Sequence, residues 1–66
     1  MDQEVFKRIK KYVGTQRDLA KHLGVQPQAI SKWKRTQIPA TRVVEIERLT
    51  GGNVTRQEIR PDVFYG

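Results

Sequence analysis

The chain has 66 residues, 36% of them hydrophobic and 30% charged, with a net charge of +6, one histidine and no cysteine. This length predicts a single domain over residues 1–66, with room for one core and no second catalytic lobe; such a chain buries only roughly 60% of its unfolded surface and gains from a partner. Lacking cysteine, it excludes a disulfide framework or thiolate metal site, and with no membrane-length apolar run and no signal-peptide core in its opening MDQEVFKRIK it is expected to be cytoplasmic and off the membrane.

A first helix is predicted from Asp2, an acceptable N-cap, to Gly14, with Val5, Phe6, Ile9, Tyr12 and Val13 at helical spacing. The core stripe reads as Val5, Ile9, Tyr12 and Val13. Lys7, Arg8, Lys10 and Lys11 flank it, either as a solvated face that offsets the helix macrodipole or as a source of phosphate contacts. Thr15-Gln16-Arg17-Asp18 resembles a capping box with Asp in the last place, and it opens a second helix near Gln16–Leu23 whose inner face is Leu19, Ala20 and Leu23. Gly24 supplies the positive φ of a tight turn, and Ala20 leaves space for the next helix to approach. Pro27 suits a first helical position and starts a third helix near Pro27–Arg35, with Val25, Ile30 and Trp33 facing the core.

Pro39 disfavours helical geometry at Ile38 and ends that segment. A fourth helix is predicted over about Ala40–Thr50, with Val43, Ile46 and Leu49 on one face, Val44 beside them, and Gly51-Gly52 as the stop. Thr55-Arg56-Gln57-Glu58 has the form of a capping box, predicting a short fifth helix from Arg56 to about Arg60, halted by Pro61. A hairpin after Gly52 is the alternative, but Thr55, Glu58 and Pro61 favour an all-α, compact five-helix domain.

Charge follows the same division. Residues 1–35 hold nine Lys and Arg against Asp2, Glu4 and Asp18, whereas residues 36–66 hold four against four. The excess positive charge therefore travels with the first three helices, as expected if that half faces a polyanion.

Two short amphipathic helices joined by one glycine turn, Gln16 to Arg35, are the outline of a helix-turn-helix. Gly14-Thr15-Gln16-Arg17, Leu19-Ala20, Leu23-Gly24-Val25, Ile30-Ser31-Lys32-Trp33-Lys34 and Ile38-Pro39 resemble the Cro repressors of lambdoid phages and prophages. In the tail, Ile46-Glu47-Arg48, Thr50-Gly51-Gly52, Val54-Thr55-Arg56 and Arg60-Pro61-Asp62 are similar to the related YdaS-type antitoxin/repressor group. The resemblance implies a lambda-repressor-like DNA-binding fold in a bacterial host. It also implies a transcriptional repressor that binds double-stranded operator DNA as a weak homodimer, strengthened on DNA. The rival readings are a YdaS-type antitoxin-like regulator and a protein-interaction module without sequence-specific DNA binding.

A recognition helix reads bases from its outer face. With Val25, Ile30 and Trp33 turned inward, that face presents Gln26, Gln28, Ala29, Lys32 and Arg35. Gln can pair bidentately with adenine, Lys and Arg donate to guanine, and Ala29 can meet a thymine methyl. Gln26 either reads a base or caps its own helix, and Arg35 either reads a base or reaches only phosphate. Thr15, Gln16 and Arg17 are placed for phosphate at the preceding helix N-terminus, and Ser31 and Lys34 can join them on the rim. Arg42, at the start of the fourth helix, is similar to a family position next to the DNA strand, and the resemblance implies a further phosphate contact there.

Trp33, by its spacing from Ile30, reads as core rather than as a stacking platform, and His22 as a surface residue rather than a metal ligand. Asp18, Glu45, Glu47 and Glu58 fall at caps or on the surface, and no nucleophile and base share a plausible pocket, so neither an enzyme, a cofactor nor a small-molecule ligand is expected. Val63, Phe64 and Tyr65 form an apolar end that needs cover. They either fold back over the first and fourth helices or pack across a dimer with Ile38 and the fourth helix, as Cro-like proteins use their C-terminal parts.

Overall fold

Thr15 organises the first reversal of the chain. In the computed structural model, which describes residues 3–65, its hydroxyl accepts the Asp18 N–H at 3.2 Å and its own N–H donates to Asp18 Oδ2 at 2.9 Å, a complete capping box. The elements in order are α1 (Gln3–Val13), α2 (Gln16–Leu23), α3 (Pro27–Arg35), α4 (Ala40–Leu49) and α5 (Arg56–Ile59). No strand occurs among the described residues, so the all-helical alternative holds over the hairpin. The expected N-cap at Asp2 lies outside the described residues.

Two helices end by the same arrangement. After α2 the Val25 N–H reaches the Ala20 carbonyl at 3.0 Å and the Gly24 N–H reaches Lys21 at 3.3 Å, with Gly24 at φ 70°. After α4 the Gly52 N–H reaches Glu47 at 2.9 Å and the Gly51 N–H reaches Arg48 at 3.0 Å. Both are Schellman closures that satisfy otherwise unpaired terminal carbonyls. Arg42 Nη1 adds a donor to the Leu23 carbonyl at 3.1 Å, fixing the end of α2 from the start of α4.

The core draws one or more side chains from every element: Val5, Phe6 and Ile9 from α1, Leu19, Ala20 and Leu23 from α2, Ile30 and Trp33 from α3, Val43 and Ile46 from α4, and Ile59 from α5. Ile38 and Val54 seal the connections. Each fully buried Leu, Ile or Val contributes about 1.5–3 kcal/mol relative to an exposed position. Thr50, the buried polar residue beneath Gly51, donates to the Glu47 carbonyl at 2.9 Å and accepts the Val54 N–H at 3.1 Å, leaving no unsatisfied hydroxyl. Among the described residues no helix is long and apolar enough to cross a membrane.

Four expectations change. Tyr12 is 45% exposed and Phe6 is buried in the stripe where Tyr12 was expected. The cause is tertiary: α1 packs on α2 and α4, which takes Phe6 into the shared core, and Lys34 Nζ of α3 lies 5.3 Å from its ring centroid. The Thr55 box forms by half, the Thr55 hydroxyl taking the Glu58 N–H at 3.3 Å while the Glu58 carboxylate meets Arg8. Ile38 is fully buried in the monomer, so its side chain is not on a surface where a second copy can pack. Of the tail, only Phe64 folds back, half-buried against the core and under Arg56, whereas Val63 and Tyr65 are exposed, Tyr65 at 84%.

Candidate nucleic-acid interface

The N-terminus of α2 has four N–H groups without a helical partner by construction. Thr15 and Asp18 use two of the N–H groups in this turn, and the Leu19 N–H closes on the Thr15 carbonyl at 3.0 Å. The N–H groups of Gln16 and Arg17 have no acceptor among the described residues and sit where the helix dipole favours an anion. Arg17 is exposed beside them and enters no ion pair among the described residues. The Thr15 N–H first and its hydroxyl second hold the Asp18 carboxyl below its ordinary range, so the cap stays charged at neutral pH.

On α3, Gln28, Lys32 and Arg35 are all exposed. Their spacing of four and three residues places them in one row opposite Ile30 and Trp33, both buried. Gln26 is exposed at the N-cap position. Its carbonyl takes the Ala29 N–H at 2.9 Å but its side chain makes no cap bond, so of its two expected uses the side-chain cap is not taken. Ala29 is half-buried against the core, at the edge of the row.

The flanking residues are more engaged than their sequence suggests. Gln16 Nε2 donates to the Pro27 carbonyl at 3.1 Å and to Ser31 Oγ at 2.7 Å, joining the N-termini of α2 and α3. Lys34 is half-buried over Phe6, on the α1 side of α3. Arg42 holds Leu23 and lies 3.7 Å from Glu45. The sequence reading missed Arg42 and Gln16 as organisers of the motif because their partners lie 19, 15 and 11 positions away, beyond any local pattern.

Electrostatically the two halves differ further in three dimensions. Every acid of residues 36–66 is in an ion pair: Glu45 with Arg42, Glu47 with Arg56, Glu58 with Arg8 and Asp62 with Arg60. On α1 to α3, Lys7, Lys10, Lys21, Lys32 and Arg35, like Arg17, make no ion pair among the described residues. Of those four acids only Glu58 reaches across to the basic half, where it takes Arg8, and the cations named above are left to it unpaired among the described residues.

A family model described as bacterial toxin YdaS matches residues 6–66. The chain is 42% identical over 62 residues to an Escherichia coli (strain K12) protein named as a transcriptional regulator, YdaS, a match taking in 91% of this chain. It spans 63% of that relative's length. Among solved structures it is similar to the Cro protein from a prophage element, Xfaso 1, in Xylella fastidiosa strain Ann-1, with a TM-score of 0.87 and 41% identity, covering 94% of this chain and 97% of that one.

Proposed function

The chain belongs to the YdaS family, and from that premise we propose that it is a sequence-specific, double-stranded DNA-binding transcriptional repressor of the Cro type. The observation that carries the reading is the exposed row Gln28, Lys32 and Arg35 on α3, standing beside the open N–H groups of α2 on the half of the chain that holds the excess positive charge. In this reading α3 enters the major groove. Gln28 pairs with an adenine edge, Lys32 donates to a guanine, and Gln26 and Arg35 reach the ends of the same stretch. Ala29, at the edge of the row, meets a thymine methyl. The N–H groups of Gln16 and Arg17, the Arg17 guanidinium and the Ser31 hydroxyl hold the phosphates and fix register without choosing sequence, while Thr15, whose N–H and hydroxyl both donate to Asp18, shapes the turn rather than binding phosphate itself. Lys34 and Arg42 serve the fold first and the phosphates at most from the rim.

A weak homodimer, completed on DNA, matches the motif to a two-fold operator with half-sites about 34–36 Å apart. Exposed Val63 and Tyr65 are the apolar groups of the tail available to it. Host cytoplasm and regulation of prophage genes accompany this reading.

Selection of bound sequences from a random duplex library at about 0.15 M salt, followed by titration of the winner across a salt series, tests it. The expected result is a palindromic winner preferred by roughly 10³ or more over random DNA. Weak, uniform binding overturns the reading and leaves an interaction module or an antitoxin-like role with a protein partner.

A further inference from the structure

Both hydrogens of one side-chain amide are committed to the recognition helix. Gln16 Nε2 sits 3.1 Å from the Pro27 carbonyl and 2.7 Å from Ser31 Oγ. The Pro27 carbonyl can only accept, which fixes the nitrogen, not the oxygen, of the Gln16 carboxamide toward α3. With its two N–H bonds used, the Gln16 side chain has only an acceptor left to offer, and an acceptor does not bind phosphate. Its reach nevertheless spans the first turn of α3, from the carbonyl of the first helical residue to the hydroxyl of the fifth. Gln28 lies between those two anchors and Lys32 directly follows the second.

From this geometry we infer that Gln16 is a positioning residue: it touches neither base nor phosphate through its side chain, and it sets base selectivity by holding the first turns of α3 at a fixed distance and rotation from the phosphate-facing end of α2. The inference rests on the DNA-reading role proposed above. Its physical content is that α2 fixes the backbone register while α3 reads bases, so the joint between them converts one into the other. Loosening the joint leaves phosphate contacts intact and blurs the placement of Gln28 and Lys32.

The test uses the ratio of affinities for the selected operator and for random duplex, because a phosphate contact contributes equally to both and cancels. The variants are Gln16→Met, which keeps the length and loses the donor, Ser31→Ala at an exposed helix position, their combination, and Ser31→Thr, which keeps the hydroxyl. Helicity and thermal midpoint are recorded for each to establish that it is folded. The expected result is that Gln16→Met and Ser31→Ala each lower the ratio about tenfold, the scale of one misplaced base contact. The double variant should lose no more than Gln16→Met alone, since the two residues form one bond, and Ser31→Thr should keep the wild-type ratio. Equal losses on both DNAs with an unchanged ratio would make Gln16 a phosphate contact and overturn the inference while the DNA reading stands. Losses in the ratio that add in the double variant also overturn it, because the residues then act separately. A wild-type ratio near one removes the DNA reading itself, and the inference with it.

Discussion

Arg8 Nη1 meets Glu58 Oε2 at 2.7 Å, and the same guanidinium donates to the Asn53 carbonyl at 2.8 Å. The first helix is thereby clamped to the start of the last across 50 positions of sequence. Arg8 is spent on the fold rather than on a polyanion, which separates it from Lys7, Lys10 and Lys11 on the same helix.

This clamp and the one made by Arg60 differ in exposure, and that sets their expected order. The Arg8–Glu58 pair is 45% and 40% exposed, so Arg8→Ala should cost about 0.2–1 kcal/mol. The Arg60 side chain is 16% exposed, forks bidentately onto Asp62 at 2.9 and 2.7 Å and satisfies the Ile38 carbonyl at 2.8 Å. Arg60→Ala removes all three contacts at once and should lower the urea midpoint more than Arg8→Ala does. Urea titrations of the two variants give the comparison; the reverse order contradicts the role given to Arg60.

Phe6 and Tyr12 test the corrected face of α1. Phe6→Ala should cost about 3–5 kcal/mol, enough to unfold much of a domain this small. Tyr12→Ala should stay within about 0.5 kcal/mol, as for other surface positions. Circular dichroism melts of both variants distinguish this face from one centred on Tyr12.

Gly14 and Gly24 both have positive φ, at 115° and 70°, but only one has a neighbour in the way. A Cβ on Gly24 meets nothing within 4 Å, so Gly24→Ala carries backbone strain alone, about 1–2 kcal/mol. A Cβ on Gly14 would lie 2.6 Å from Asp18 Oδ2 and 3.3 Å from its Cβ, pushing on the carboxylate that caps α2. Gly14→Ala should therefore destabilise more than Gly24→Ala in the same unfolding assay.

Acid should weaken the fold through Asp18 and Asp62. Hydrogen bonds from Thr15 lower the first and the Arg60 fork lowers the second, each relative to an ordinary value of 3.8. A carboxylate with a depressed folded pKa adds stability that is fully present above the unfolded value and is lost as pH falls through the folded one. Stability attributable to these two should be constant above about pH 5 and decline below about pH 4. The double variant Asp18→Asn, Asp62→Asn should show a shallower acid decline than the wild type; an unchanged slope would place the acid sensitivity elsewhere.

On DNA, Gln28→Ala and Arg17→Ala should fail differently. The first should relax selectivity at one or two base pairs, at about 1–3 kcal/mol there. The second should weaken all sequences alike and reduce the salt slope by about one. Binding of both variants to the operator and to single-base mutants of it reads this out, and identical behaviour would mean that the base and phosphate roles are misassigned.

What was legible in the sequence was local. The Thr15 box, the Gly24 turn, Pro27 at the start of α3 and the Gly51-Gly52 stop each depend on residues within about five positions, and the helix bounds follow from them. The exposed row Gln28, Lys32 and Arg35 was legible too, because Ile30 and Trp33 fix the rotation of α3. Phe6 and Tyr12 flank the same stripe at nearly equal angles, so only the packing of the other helices, α2 and α4 foremost, decides between them. Glu58 had a local partner in Thr55 and a distant one in Arg8, and a full charge 50 positions away drew its carboxylate from the box. Resemblance to Cro-like proteins puts Ile38 at a dimer contact, whereas it is fully buried in the core of the single chain while Arg60 holds its carbonyl.

The internal pairing of every acid after residue 35 also bears on encounter, before any contact is made. A body whose far half is neutral and whose near half is basic has its centre of charge displaced from its centre of mass. In the field of a polyanion such a body feels a torque as well as a pull, and it rotates during the last nanometre of approach so that α1 to α3 arrive first. Fewer collisions are then wasted on the wrong side, and the gain fades as added salt shortens the range of the field to about 8 Å at physiological ionic strength.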